Sequence, residues 1–331
     1  MKKEKSNKKA LAIKIIAIIL AIILILLIVA SNFMYSFFLR NDSIIPREKM
    51  TDLLIKNTGI NTQFFGITPE SRDWFLANNK EVTITSNDGL ELHGFYIENE
   101  NNTNHNYVIM CHGYSCKARF MSNHMREIYK FGFDILAPDS RAHGSSEGDT
   151  ITMGYYEKDD LMLWINSIIE KDKDANILIM GVSMGASTVL LTSGEDSLPS
   201  NVKAVISDCA YTTAYDEFKS QSLDVAHIPP HPIIDMTSLV AKIRAGFSFK
   251  DVDCIQAVKR STTPTLFIHG TDDTFVPARM LDELYENANC EKQKLLVDGA
   301  VHANSANVEP ELYWSTVDNF LKNYFSYELI K

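Results

Sequence analysis

The sequence ILIMGVSMGASTVLL, residues 177–191, joins an aliphatic run to a turn of small residues and then to a run of helix-forming residues. Short aliphatic runs are typical of buried parallel strands. Gly181 and Gly185 leave room for the backbone to turn sharply around Ser183, which lies between them. The stretch therefore predicts a strand, a tight turn and a helix that begins beside Ser183, where its N-terminus favours negative charge.

A second match to the pattern G-x-S-x-G surrounds Ser146, at residues 144–148. No predicted strand runs into this match, which lies in a polar loop. The context therefore favours Ser183 as a catalytic nucleophile. The alternative is that residues 181–185 form an ordinary buried turn between a strand and a helix.

Further aliphatic runs alternate along the chain with amphipathic runs, and turn signals separate them. The first two predicted strands flank the turn sequence Asn87-Asp88-Gly89. Strands are predicted at Val82–Thr85, Leu92–Ile97, Tyr107–Cys111, Phe133–Ala137, Ile177–Met180, Ala204–Ser207, Thr265–Ile268 and Lys294–Val297. Amphipathic helices are predicted at Phe120–Lys130, Tyr155–Glu170, Ala186–Ser193, Ala278–Asn287 and Pro310–Phe325. An antiparallel hairpin followed by such alternation predicts an α/β fold, with a mostly parallel sheet covered by helices on both faces.

A serine nucleophile needs a histidine base, and the histidine needs a carboxylate to orient it. Of the histidines that follow Ser183, His302 lies in a loop directly after the last predicted strand, so it is the predicted base. His269 ends a strand and is expected to pack beside the site. His227 and His231 belong to a proline-rich segment.

Two neighbouring carboxylates, Asp272 and Asp273, follow the strand Thr265–Ile268. Either one is suitably placed to orient the base, and their spacing does not separate them. Asp208 is a third candidate, although a strand-end aspartate is often only a cap.

The negative oxygen of an acyl-transfer intermediate needs two backbone N–H donors. The predicted donors are the N–H of Met184, directly after the nucleophile, and that of Tyr114, in the loop after the strand Tyr107–Cys111. Gly113 allows the backbone of this loop to approach closely. Neither donor acts through its side chain.

Residues 1–40 differ in charge from the rest of the chain, with seven Lys or Arg and one Glu. No charged residue occurs from Ile15 to Leu39, which is long enough to cross a hydrocarbon core of about 30 Å. Aromatic residues then fall where a membrane interface is expected. The sequence predicts a single-pass cell-membrane anchor with a cytoplasmic N-terminus and an extracytoplasmic catalytic domain. A cleaved signal peptide, cut near Val29-Ala30-Ser31, is the alternative.

Residues 41–331 carry a net charge of −16 within a total of −10, which argues against a nucleic-acid partner. The pairs Cys111/Cys116 and His227/His231 do not form convincing metal-ligand sets. We therefore expect no metal and no cofactor. Cys111 and Cys209, at strand ends, are expected to be buried thiols.

The interval 212–262 contains three prolines and no predicted strand, which indicates a functional lid or insertion. Residues 41–80 are predicted to be a connector with two short helices. The expected organisation is thus a tail and anchor at 1–40, a connector at 41–80, and one catalytic domain at 81–331 with a cap at about 212–262.

Five ordered motifs resemble those of the α/β-hydrolase superfamily, and particularly its membrane-anchored bacterial serine aminopeptidase-like and acylglycerol lipase-like hydrolases. They are His112-Gly113, Asp139-Ser-Arg141-Ala-His143-Gly-Ser145, Gly181-Val-Ser183-Met-Gly185, His269-Gly-Thr-Asp-Asp273-Thr-Phe-Val-Pro277 and His302. The resemblance covers roughly residues 80–326. It implies that Asp273 is the acid and that 212–262 covers an acyl pocket. Ala142 departs from the common pattern, which has glycine there, in a structural loop.

The expected function is hydrolysis of a carboxylic ester through an acyl-enzyme, with Ser183, His302 and Asp273 as the catalytic triad. The expected substrate is a small-molecule or lipid acyl ester. The alternatives are an acyltransferase or peptidase that uses the same residues, and a non-catalytic binding domain of the same fold. The sequence indicates no oligomeric state.

Overall fold

The computed structural model describes residues 2–41, 67–225 and 227–329. In these ranges the chain forms one sheet of eight strands, whose spatial order is β1-β2-β4-β3-β5-β6-β7-β8. The strands are β1 (Lys80–Thr85), β2 (Glu91–Ile97), β3 (Asn106–Cys111), β4 (Asp134–Pro138), β5 (Asn176–Val182), β6 (Val202–Asp208), β7 (Thr265–Gly270) and β8 (Lys292–Val297). Strand β2 is antiparallel to β1 and β4, and the other neighbouring strands are parallel. The predicted α/β-hydrolase fold is confirmed.

Helices precede and connect the strands. They are α1 (Lys2–Leu39), α2 (Pro69–Asn78), α3 (Ser122–Tyr129), α4 (Glu157–Lys171), α5 (Met184–Ser193), α6 (Ala214–Ser220), α7 (Ile233–Ala245), α8 (Cys254–Arg260), α9 (Arg279–Asn287), α10 (Ser305–Val308) and α11 (Pro310–Leu321). A 3₁₀ turn at Ala118–Met121 leads into α3, and a π-helical turn, Gln221–Val225, follows α6. Of the two helices predicted in the connector, α2 is present, and residues 42–66 lie outside the described ranges.

Two hydrophobic clusters form the core, one on each face of the sheet. Helix α5 lies beneath the turn at Ser183, and all ten of its residues are buried. The glycines on either side of Ser183 are needed there, because a Cβ on Gly181 would lie 2.2 Å from the carbonyl oxygen of Gly185. A Cβ on Gly185 would lie 2.1 Å from the carbonyl oxygen of Cys111. The two glycines therefore allow β5, α5 and the end of β3 to pack closely around the turn at Ser183.

Ala142, which occupies the position of a glycine in the common family pattern, has a strained backbone. Ala142 adopts φ 60°, in the left-handed region that favours glycine. Its loop is held by Asp139, whose carboxylate accepts the backbone N–H of Ala118 at 2.7 Å and that of Ser145 at 2.9 Å. The loop that contains the second G-x-S-x-G match is therefore a structural one.

The described residues of the interval 212–262 form α6, the π-helical turn, α7 and α8, and they contain no strand, as predicted. The C-terminal end of α1 packs against α7. Tyr35 and Leu39 in that end are 1% and 0% exposed. The N-terminal helix is thus joined to the hydrolase fold through tertiary contacts, which the sequence did not predict.

Candidate active site

Ser183 lies at the junction of β5 and α5. Its backbone adopts φ 57° and ψ −119°, a conformation that is rare for residues other than glycine. Such a conformation costs about 1–3 kcal/mol and persists only where the surrounding structure imposes it. Here the N–H of Ser183 donates to the carbonyl oxygen of Asp208 at 2.8 Å, and the packing of α5 fixes the residues that follow. The turn presents the hydroxyl above the carboxyl ends of the strands.

His302 follows β8 and reaches this hydroxyl. Its Nε2 lies 2.9 Å from Oγ of Ser183, and its Nδ1 lies 2.7 Å from Oδ2 of Asp273. Because an ionised carboxylate only accepts hydrogen bonds, Nδ1 carries the proton and donates to it. In the neutral imidazole, Nε2 is then the acceptor for the serine hydroxyl.

Asp273 is buried and held by backbone donors. The N–H groups of Phe275 and Val276 donate to its Oδ1 at 2.9 and 2.8 Å. Burial alone would raise the pKa of Asp273, but the charges and hydrogen bonds of His302 and His269 hold that pKa well below its ordinary value. Asp273 is therefore a carboxylate at neutral pH, as an orienting acid must be.

The other acids that the sequence left open lie elsewhere. Asp272 is exposed, and its carboxylate accepts from Oγ1 of Thr271 at 3.3 Å. Asp208, the last residue of β6, is buried and accepts the hydroxyl of Tyr313 at 3.0 Å, and burial raises its pKa to about 6. Neither carboxylate bonds to the imidazole of His302 in the hydrogen bonds of the described residues.

The remaining histidines are also placed. His269 packs beside the site, with its Nε2 2.9 Å from the carbonyl oxygen of Val276 and 3.1 Å from Oδ2 of Asp273. The sequence did not predict this contact with the acid. His227 and His231 are exposed, and His231 pairs with Asp235 at 2.6 Å.

The two predicted oxyanion donors are close to the serine. Met184 is the first residue of α5, and the first N–H groups of a helix have no partner within it. Gly113 packs on Ser183, because a Cβ on Gly113 would lie 3.3 Å from the Cβ of that serine. Tyr114 comes next in the chain, and its hydroxyl donates to the carbonyl oxygen of Phe38 at 2.5 Å.

A cavity of about 410 Å³ opens beside Ser183, within the usual size range of small-molecule sites. Its walls are largely apolar and come from the end of α1, the cap and the loop after β7, together with Tyr114, Met153, Met184 and Tyr211. The apolar cap side chains in the wall are Phe218, Ile228, Ile233, Ile234 and Phe249. The arrangement can hold an apolar group while its carbonyl lies against the serine.

One acid, Glu217, lines this cavity. It is 3% exposed, and its Oε1 accepts from Gln221 at 3.1 Å, whereas its Oε2 has no hydrogen-bond partner among the described residues. Burial, and then the charge of Asp273, raises the pKa of Glu217 well above its ordinary value. Burial therefore favours the protonated, uncharged form of this carboxyl group in the folded protein. No pattern in the sequence pointed to it.

We expect Glu217→Gln to stabilise the fold, and to do so more strongly as pH rises. The unfolded chain loses the Glu217 proton above about pH 4.5 while the folded chain keeps it, so stability falls with rising pH up to the folded pKa. Glutamine removes this loss. The melting temperature of the variant should exceed that of the wild type by more at about pH 8 than at about pH 5. Equal gaps at the two pH values would contradict the neutral carboxyl.

A metal site is poorly supported by the same residues. Ligand atoms of Cys209, Asp273 and His302 lie within 4.8 Å of one another. However, His302 already bonds to Asp273 through one ring nitrogen and to Ser183 through the other, and burial raises the pKa of the Cys209 thiol well above its usual value. Cys111 and Cys209 are both buried free cysteines, as expected.

Helix α1 includes a segment, Lys9–Leu39, that is long and apolar enough to cross a membrane. From Leu11 to Val29 most of its large apolar side chains are exposed in the folded chain.

Comparisons with known proteins give consistent similarities. Residues 102–226 match the family model described as "Serine aminopeptidase, S33". The chain is 29% identical to YqkD of Bacillus subtilis (strain 168) over 242 residues, which is 72% of this chain and 78% of that protein. Its structure is similar to that of the Pyrococcus furiosus esterase Pf2001, with a TM-score of 0.62 and 25% identity over 78% of this chain and 96% of the other. The α/β hydrolase GrgF from Penicillium shares the fold, with a TM-score of 0.58 and 17% identity over 75% and 99% of the two chains.

Proposed function

This chain has the α/β-hydrolase fold, and from that premise we propose that it is a membrane-anchored serine hydrolase that cleaves carboxylic esters through an acyl-enzyme. The main support is the run of hydrogen bonds from Ser183 through His302 to Asp273, at a strained turn beside an apolar cavity. The similarity to an esterase supports the ester bond as the substrate linkage.

The chemistry divides into two half-reactions. Oγ of Ser183 attacks the ester carbonyl while Nε2 of His302 takes its proton, and Asp273 stabilises the resulting imidazolium. The N–H groups of Tyr114 and Met184 stabilise the negative oxygen of the tetrahedral intermediate, which is often the largest single contribution to catalysis. His302 returns the proton to the departing alcohol. Water then attacks the acyl-serine by the same route.

In this proposal residues 81–331 form the catalytic domain and about 212–262 its cap. Residues 1–40 supply the anchor, and the lysines before Lys14 keep the N-terminus cytoplasmic, so the catalytic domain is extracytoplasmic. The cell membrane and an acyl ester are then the two binding partners. No metal or cofactor takes part in the steps above.

Covalent labelling tests the proposal directly. We expect a fluorophosphonate probe to label the full-length protein, and mass spectrometry of the digested protein to locate the label on Ser183. Ser146, in the other G-x-S-x-G match, is the internal control and should stay unlabelled because its hydroxyl is buried and donates to the carbonyl oxygen of Asp139 at 2.6 Å. A label elsewhere, or none, would contradict the proposed nucleophile.

Amide cleavage is the second candidate, because the matching family model is described as a serine aminopeptidase. The same preparation can be given p-nitrophenyl acetate and an alanine p-nitroanilide. A higher kcat/KM for the anilide would favour the peptidase.

A further inference from the structure

Two adjacent stripes of side chains run along the last turns of α1. Ser31, Tyr35 and Leu39 are buried in the hydrolase domain, at 0%, 1% and 0% exposure. Ala30, Met34 and Phe38 line the cavity beside Ser183. Within each stripe the residues are four apart, so they lie on one face of the helix. One face of the helix end thus packs into the domain, and the neighbouring face forms a wall of the cavity.

This wall is tied to the reaction centre. The carbonyl oxygen of Phe38 accepts the hydroxyl of Tyr114 at 2.5 Å, and that of Leu39 accepts the N–H of Ile151 at 2.8 Å. Tyr114 is the residue whose backbone N–H is proposed to stabilise the oxyanion. The helix end and the proposed oxyanion loop therefore hold each other in place.

The wall begins where the hydrophobic segment ends. The uninterrupted apolar run of α1 ends at Ala30, which is also the first residue of the wall. With a rise of about 1.5 Å per residue, Phe38 lies about 12 Å further along the helix, just beyond a headgroup layer about 5–8 Å deep. Phe33, which lines the cavity and is 53% exposed, is at the level expected of an interfacial aromatic residue.

The cap extends the apolar surface beside α1. Helix α7 packs against α1, with the guanidinium of Arg244 4.5 Å from the ring centroid of Tyr35. On the same helix Leu239 and Ile243 remain 49% and 75% exposed. Exposed apolar groups of this kind, next to a membrane-crossing helix, favour contact with lipid.

From these contacts we infer that the substrate is an acyl ester of a lipid in the membrane that α1 crosses, and that Met34 and Phe38 determine which acyl chain is accepted. This inference rests on the proposed serine hydrolase. The acyl chain lies against α1, and the ester carbonyl reaches Ser183. The acyl–Oγ bond forms first, and the ester C–O bond breaks when the tetrahedral intermediate collapses and His302 gives its proton to the leaving alcohol. Water later releases the fatty acid.

The test uses the full-length protein in detergent and a series of p-nitrophenyl esters from acetate through butyrate and octanoate to palmitate. We expect Met34→Trp to fill the cavity and to lower the ratio of kcat/KM for palmitate to that for acetate by about tenfold or more. Leu26→Trp is the matched control, since Leu26 lies two turns earlier on the same helix face, is 62% exposed and does not line the cavity. An unchanged ratio in Met34→Trp, or an equal fall in Leu26→Trp, would overturn the inference.

Two further measurements keep the test decisive. Titration of active sites with a fluorophosphonate normalises the rates of the wild type and of the Met34 and Leu26 variants. Met34→Phe, a milder enlargement, replaces the tryptophan variant if that variant does not fold. Ser183→Ala separates the two proposals. If acetate turnover does not depend on Ser183, the proposed hydrolase fails; if it does and the Met34 variants keep the wild-type ratio, only the lipid inference fails.

A vesicle experiment tests the source of the ester. In one sample the wild-type protein is reconstituted into phosphatidylcholine vesicles that carry a fluorogenic diacyl lipid ester. In the other sample the protein is in ester-free vesicles, which are mixed with separate vesicles that carry the ester. We expect hydrolysis to be at least about tenfold faster when protein and ester share the same vesicles, because the acyl chain of the ester enters the cavity from the bilayer around α1. Equal rates would mean that the substrate reaches the site through water and would overturn the membrane source.

Discussion

Replacing Ser183 with alanine is expected to lower kcat for p-nitrophenyl butyrate by about 10⁶-fold, the scale of losing a serine nucleophile in a hydrolase of this type. The imidazole of His302 then has no hydroxyl to deprotonate, and no acyl-enzyme forms. The fold should persist, because the residue is small and alanine removes only Oγ. Stopped-flow and steady-state assays on the full-length protein measure the loss, and circular dichroism and thermal melting check the fold.

Ser146→Ala is the matched control for this experiment. Its hydroxyl holds a loop by donating to the carbonyl oxygen of Asp139 and accepting the N–H of His93 at 2.8 Å. The variant should therefore lose some stability but keep its turnover per fluorophosphonate-labelled site. Wild-type turnover by Ser183→Ala, or a comparable loss in Ser146→Ala, would argue against Ser183 as the nucleophile.

Asp273→Asn is expected to lower kcat/KM by about 10⁴-fold. An asparagine in this position can present its amide N–H₂ to Nδ1 of His302, which favours the tautomer whose Nε2 is protonated and unable to accept the serine proton. The buried imidazolium would also lose its counter-charge. The pH–rate profile of the variant should shift with the loss, which a purely structural defect would not cause.

The neighbouring acid supplies the control. Asp272→Asn makes the same chemical change at the adjacent position, but that side chain is exposed and bonds only to Thr271 among the hydrogen bonds of the described residues. Its kcat/KM should stay within about twofold of the wild type, as for most surface substitutions. Similar losses in the two variants would show that the loop, and not one carboxylate, carries the effect.

Much of the fold follows from local patterns. All eight predicted strands are present, because aliphatic runs between turn signals leave little choice of structure. Ser183 and His302 were predicted from their positions after strands, and the structure brings their side chains within hydrogen-bond distance.

Other features depend on contacts that local sequence does not encode. The spacing of the sequence did not distinguish Asp272 from Asp273 as the orienting acid. The difference comes from the loop backbone, because the N–H groups of Phe275 and Val276 donate to the carboxylate of Asp273. The raised pKa of Glu217 results from burial in the folded chain, and the sequence of its helix gives no sign of that burial. The contact between α1 and α7 joins segments about 200 residues apart, and nothing in either segment predicts the other as its partner.

The two residues directly after α1 are bonded to the catalytic domain. Arg40 pairs with Asp149 at 2.6 Å, and the N–H of Asn41 donates to the carbonyl oxygen of Asp149 at 2.8 Å. A domain on a flexible linker sweeps a volume that grows with linker length. With α1 in a bilayer, this domain would instead stay at one distance from the membrane surface and at one tilt angle. Its encounters would then be governed by lateral diffusion, and its rate would follow the mole fraction of substrate in the leaflet rather than a bulk concentration.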